Sequence, residues 1–259
     1  MKVTDQLNRT IEIPDSCKRI VSLVPSQTEL LVDLGLEDRL VGVTKFCIHT
    51  KGLKQAKTVI GGTKNFNFDK IKALNPDLII GNKEENYKEG IEELAKDYPV
   101  WMSDIFTIDD AQNMISSIGE ITNTKQQADE LNKLISVEIS TLNSKISKPK
   151  KALYFIWKNP YMVAGSNNYI NEMLRLDGYQ NLCNSKEFSR YPELTENQIK
   201  EIAPEEILLS SEPFPFKEKH ITEIQQLAPN AVIKIVDGEL YSWYGSRLLK
   251  ALRDFNSTK

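Results

Sequence analysis

The segment KFCIHT places a thiol and an imidazole two residues apart, Cys47 and His49. Side chains so spaced on an extended strand point the same way. The pair would then offer two of the four ligands that zinc takes. No third ligand is spaced nearby. The chain has three cysteines and two histidines, without a C-x-x-C pair, so the expected arrangement is a buried Cys47 beside a solvated His49, and no metal. Covalent catalysis is equally short of parts. A Ser–His–Asp set needs a histidine beside a nucleophile, and His220 in FKEKH reads as a surface helix start. No G-x-G-x-x-G and no phosphate-binding loop occurs, and GGT at Gly61 is a weak substitute. The chemistry left is non-covalent, and no cofactor is expected. Its material is aromatic: Trp157, Phe214 and Phe216 in SEPFPF, and Trp243 and Tyr244 in YSWYGS. Flat rings with a few polar groups suit a large, partly apolar ligand such as a macrocycle or an aryl chelate. Arg247 carries the planar fork that grips a carboxylate or phosphate with two bonds.

These residues fall just after stretches that read as buried strands. KRIVSLV precedes Pro25, Ser26, Gln27 and Thr28, and RLVGVTKF ends at Phe46 and Cys47. DLIIG precedes Asn82–Tyr87, PVWM precedes Ser103 and Asp104, and ALYFI precedes Trp157–Tyr161. EEILLS runs into SEPFPF, and IKIVDG precedes Tyr241–Tyr244. Helical patterns alternate with the strands, which implies a mostly parallel sheet with helices on both faces. In such sheets ligands sit beyond the carboxyl ends of the strands. The candidate ligand-binding residues are therefore Ser26, Gln27, Phe46, Cys47, Asn82, Trp157, Phe214, Trp243, Tyr244 and Arg247. Ser26 and Gln27 open a helix whose free N–H groups favour anions, and Ser26 with Glu29 forms a capping-box pattern. Trp157 and Trp243 read either as ligand walls or as core. Phe214 and Phe216 pack either on ligand or on their own lobe, and Arg247 binds either ligand or a nearby carboxylate.

The chain also repeats itself. FDKIKALNPDLIIGN recurs as NQIKEIAPEEILLSS when Pro76 is laid on Pro204, ELLVDLG recurs as EMLRLDG, and PVWMSD is answered by NAVIKIVDG. Three such matches in order point to two similar α/β lobes. Between them Ala128, Leu131, Ile135, Ile139, Leu142 and Ile146 form a helical stripe. A helix from Thr124 to Ile146 spans roughly 35 Å, and Thr124 with Gln127 suggests its cap. The expected organisation is an N-terminal lobe over 1–122, a bridging helix over 123–148 and a C-terminal lobe over 149–259. VTDQLNRTIEI reads as a hairpin at the start. A net charge of −3 with 27% charged residues lacks the basic face that nucleic acid requires. No apolar run of about 18 residues exists to span a membrane, and MKVTDQLNRTIEIP has no apolar signal core. The cell envelope, after removal of a leader, and the cytoplasm both remain open. A monomer is expected.

With TDQLNRTIEIPDSCKRIVSLVPSQTELLVDLGLEDRLVGVT, FNFDKIKALNPDLIIGN and the long helix, the chain resembles the helical-backbone (class III) substrate-binding proteins of ABC importers. That resemblance implies two Rossmann-like lobes joined by a long helix. It implies non-catalytic binding of cobalamin, an iron–siderophore, haem or a similar chelate in a cleft between them, little lobe closure, and an ABC permease as partner. Members place one Glu in each lobe to dock the permease. The matching positions here are Asp69 and Asn197, with Glu196 beside the latter. The aromatic platform of the cobalamin-binding members falls near Thr63, where Phe66 and Phe68 are the nearest rings. Two other readings stay open: a cytoplasmic carrier of the same fold, and a two-lobed α/β transferase.

Overall fold

The repeated helix–Pro–strand unit has a backbone reason that both copies share. In each copy the helix ends on a residue in the left-handed conformation, Asn75 at φ 43° and Ala203 at φ 47°, and the following proline cannot continue the helix. The acidic residue after the proline then ties the new strand to its neighbour. Asp77 donates its N–H to Arg19 O at 3.0 Å and accepts from Arg19 N at 2.9 Å. Glu205 donates to Lys151 O and accepts from Lys151 N, each at 2.9 Å. The motif therefore sets the register of a parallel strand pair, once in each half of the chain.

In the computed structural model, which describes residues 1–258, the chain forms two units. The first contains Met1–Ile105, Asp109–Leu134 and Tyr244–Leu249; the second contains Phe106–Ile108, Ile135–Trp243 and the residues from Lys250 on. The first opens with the hairpin β1 (Lys2–Thr4) and β2 (Thr10–Glu12), which turns through Asn8 at φ 60°. Next come β3 (Ile20–Ser22), α1 (Pro25–Asp33), β4 (Leu40–Val43), α2 (Leu53–Ala56), β5 (Thr58–Val59), α3 (Phe68–Leu74) and β6 (Leu78–Asn82). Then follow α4 (Lys88–Leu94), β7 (Val100–Ser103), α5 (Ile108–Ile121) and α6 (Lys125–Lys145). The sheet order is β5-β4-β3-β6-β7, with every pair parallel. Val21, Leu23, Ile71, Ile79, Val100 and Met102 share one core cluster, as the continuous apolar runs require of strands covered on both faces. The hairpin closes the β7 edge: Asp5 accepts from Met102 N, and Arg9 donates to Val100 O. This removes a row of open backbone groups that invites unwanted pairing.

The second unit holds β8 (Lys150–Trp157), β9 (Tyr161–Val163), α7 (Tyr169–Leu176), β10 (Tyr179–Asn181), β11 (Glu193–Leu194), α8 (Glu196–Ile202) and β12 (Glu206–Ser210). It goes on with α9 (Glu218–Gln225), β13 (Val232–Val236) and α10 (Glu239–Ser242), and the last helix, α11 (Ser246–Ser257), begins in the first unit and ends in the second. The sheet runs β11-β9-β8-β12-β13, with β10 also on β8; β9 pairs antiparallel with both β8 and β11, and the other pairs are parallel. Gly35 and Gly178, at φ 80° and 77°, end α1 and α7 in the same left-handed step, which suits glycine.

One helix start differs from expectation. Pro25 occupies the first position of α1, where its missing N–H costs nothing. The cap falls on Val24 and Ser26 lies inside the first turn, so no side-chain cap forms. The long helix begins at Lys125, directly after Thr124, whose hydroxyl shares a bond with Thr122 at 2.8 Å. The long helix runs Lys125–Lys145, and the chain passes from the first unit to the second within it, between Leu134 and Ile135.

Candidate functional site

At the carboxyl ends of β3, β6 and β7 the first unit holds a buried polar cluster. Gln27 Nε2 donates to Ser103 Oγ at 2.7 Å and to Gly81 O at 3.2 Å. Asn82 Nδ2 donates to the same hydroxyl at 2.9 Å, and its Oδ1 accepts from the N–H groups of Glu84 and Glu85. The Tyr244 hydroxyl faces Ser26 and Ser103, and burial pushes its pKa well above the usual range. Ser26, Gln27, Asn82 and Tyr244 are all buried. They brace the strand ends from within the first unit.

Cys47 is buried too, in a chain of hydroxyls: it donates to Thr28 Oγ1 at 3.2 Å and lies 3.4 Å from Thr44 Oγ1. The backbone turns at Lys45–Phe46 instead of staying extended, so Cys47 points inward while His49 is exposed. The two do not form a ligand pair, and among the described residues no group of three or more His, Cys, Asp or Glu could hold a metal ion.

Of the two readings of Arg247, the structure holds the carboxylate pairing. Its Nε and Nη2 donate to the two carboxylate oxygens of Glu29 at 2.8 and 2.9 Å, and the side chain is 6% exposed. The fork grips a carboxylate 218 residues away in sequence. Asp33 lies in the same cluster. Burial is the main cause holding its carboxyl above the ordinary range, opposed by a hydrogen bond from Ser246.

Rings are what the strand ends do present. Phe46, after β4, is 46% exposed, with Lys45 Nζ over its ring at 5.0 Å. Phe66 is buried and stacks on Tyr87 at 4.9 Å, whereas Phe68 stays exposed. In the second unit Trp157, the last residue of β8, is 40% exposed and stands edge-on to Phe214 at 5.6 Å. Phe214 leans in turn on Phe216 and His220. Phe216 is core, and Phe214 is half-buried and packs against the same cluster. Trp243 is half-buried, and its Nε1 donates to Glu212 Oε1 at 3.0 Å.

Sequence reasoning missed two residues here. Glu212 sits between Ser211 and Pro213 directly after β12, a position that would have marked it. Arg190 packs its guanidinium over Phe106 at 4.4 Å and Tyr191 at 5.6 Å, and nothing local in the sequence signals that.

Two exposed acids lie away from the strand ends, on helix first turns. Asp69 is the second residue of α3, after the Asn67 cap, and Asn197 is the second residue of α8, after the Thr195 capping box. Glu196 comes one position earlier, about 100° around the helix from the Asp69 equivalent.

The periplasmic binding protein family model matches residues 20–234. The chain belongs to the periplasmic binding protein family. Members of that family are solute-binding components, not enzymes. This periplasmic binding protein is 28% identical over 270 residues to an ABC transporter substrate-binding lipoprotein of Bacillus subtilis, YvrC; the alignment covers 97% of this chain and 83% of the relative. It is 25% identical over 198 residues to the vitamin B12-binding protein of Yersinia pestis, across 75% of this chain and 70% of that one. Among solved structures, the periplasmic heme-binding protein HutB of Vibrio cholerae superposes with a TM-score of 0.79 at 23% identity, over 93% of this chain and 98% of the other. The architecture is two Rossmann-like lobes joined by one long bridging helix, α6.

Proposed function

We propose that this chain is the substrate-binding component of an ABC importer, with a metal chelate of the vitamin B12, haem or ferric-siderophore kind as its cargo. The importer role is supported by the Bacillus relative, which aligns with nearly all of this chain. The cargo class is supported by the vitamin B12-binding relative and the heme-binding neighbour. In this chain it rests on one observation: an exposed indole, Trp157, set edge-on to Phe214 at the strand ends of the second unit. Such a wall suits the flat apolar face of a macrocycle or aryl chelate. Phe46 and Phe68 supply ring faces on the first unit. Asp69 and Glu196 are the acids proposed to meet the permease.

Titration with cyanocobalamin, haem and a panel of ferric siderophores tests the reading, followed by tryptophan fluorescence and thermal shift. Saturable quenching with a melting temperature that rises with ligand concentration is the expected result. Silence across the panel overturns it. One observation favours a carrier without a transporter: the position equivalent to Asp69 is the neutral Asn197. Failure to stimulate the ATPase of the partner importer would favour that reading.

A further inference from the structure

The strand ends of the second unit carry carboxylates as well as rings. Glu212 Oε1 accepts two hydrogen bonds, from Trp243 Nε1 at 3.0 Å and from Ser242 Oγ at 2.9 Å. These two donors fix the plane of the carboxyl and brace the edge of the indole. The second oxygen, Oε2, makes none of these bonds. Asp237 and Glu239, at the end of β13 and the start of α10, lie close enough to act on the same carboxyl. Lys158, the cation next to Trp157 in the chain, is paired with Glu223. Fixed acceptors with neighbouring negative charge repel carboxylate and catecholate groups and reward N–H donors, because an unmatched charge near a desolvated site weakens binding by more than a matched one strengthens it.

We infer that Glu212 is a specificity-determining residue, and that the chelate this protein takes is one bearing hydrogen-bond donors, amide-decorated or cationic, instead of a polyanionic one. The inference rests on the metal-chelate reading above and narrows it. Glu212 presents Oε2 to a donor on the ligand while Oε1 holds Trp243 in place. The acidic rim excludes the propionates of haem and the catecholates of tris-catecholate siderophores.

The test compares two donor-bearing probes, cyanocobalamin and the cationic ferrioxamine B, with two anionic ones, haem and ferric enterobactin. Wild-type protein and Glu212→Gln are titrated against all four. Gln is nearly isosteric and keeps an oxygen for Trp243 and Ser242, so a melting temperature close to wild type shows that the fold is intact. The expected result is a donor-bearing probe bound at least tenfold tighter than either anionic one. Glu212→Gln should then weaken that probe at least tenfold while haem and ferric enterobactin hold or improve. A wild-type preference for haem or ferric enterobactin overturns the inference and leaves the metal-chelate reading standing. An equal loss for every probe that binds also overturns it, because Glu212 then acts only through the fold. No binding by any probe overturns both.

Discussion

Replacing Arg247 with Met removes both bonds to Glu29 and leaves the carboxylate where it was. The Arg247 side chain is 6% exposed and Glu29 20%, so the carboxylate left behind is poorly hydrated. Truncating one member of a buried pair costs about 3–5 kcal/mol, and the remaining water access of Glu29 brings this down to about 2–3 kcal/mol. Asp33, already held above the ordinary carboxylate range by burial, faces the same guanidinium and would be left beside Glu29 without it. At about 2–4 °C per kcal/mol for a chain of this size, the melting temperature should fall by about 5–10 °C. Adding Glu29→Gln should recover part of the loss, since it removes the uncompensated charge. The coupling would show as non-additivity in the four-protein cycle. Calorimetry reads the cycle, and ligand titration of the same proteins should give affinities within about twofold of wild type. If Arg247→Met melts with wild type and loses affinity instead, the guanidinium serves the ligand and the pairing with Glu29 is incidental.

Trp157→Ala should weaken chelate binding at least tenfold, about 1.4 kcal/mol, with little change in melting temperature, as read by the same titration. A collapse of stability with affinity intact would make the indole structural. Burial raises the Glu206 pKa, but the bonds from Lys150, Lys234 and Tyr179 outweigh it and leave it below its ordinary value of 4.5. A lowered carboxyl pKa stabilises the fold above the unfolded value, and that contribution is lost as pH falls through the folded one. Glu206→Gln should therefore melt below wild type at pH 7, and the gap should close below about pH 4.5 in a pH series of thermal melts. Asp77→Ala removes the acceptor of the Lys18 and Arg19 N–H groups at 2.7 and 2.9 Å. Its expected cost is about 1–2 kcal/mol, read as a lower denaturant midpoint with the slope unchanged.

What the sequence made legible was whatever depends on neighbours along the chain. Ile108–Ile121 was readable as a helix because its apolar residues recur at helical spacing. The repeat was readable because a left-handed step, a proline and an acid occupy fixed offsets. The short antiparallel strands β9 and β11, of three and two residues, offered no period to read. The exposure of the rings was easier to foresee than the partners of the polar groups. Aromatic residues in Pro- and Ser-rich loops announce themselves by type, whereas the fate of a polar group depends on its partner. Arg247 looked free because Glu29 lies far away in sequence. Gln27 and Asn82 looked like ligand contacts because nothing local reveals that Ser103 takes both. Glu212 looked like an ordinary loop acid until Trp243 and Ser242 were seen to converge on one of its oxygens.

The placement of Tyr244–Leu249 bears on how the protein comes to be made. This segment covers the first turn of α1: Gly245 backs onto Ser26 and Leu30, and Arg247 closes on Glu29. Yet the ribosome delivers it only after the whole second sheet. The first unit therefore emerges with its opening helix uncovered and with Glu29 and Asp33 unanswered. It stays unfinished through the synthesis of everything from Ile135 to Trp243. The lobe that begins first is completed last, so a nascent or truncated chain lacking residues 244–249 exposes a defect in its N-terminal half.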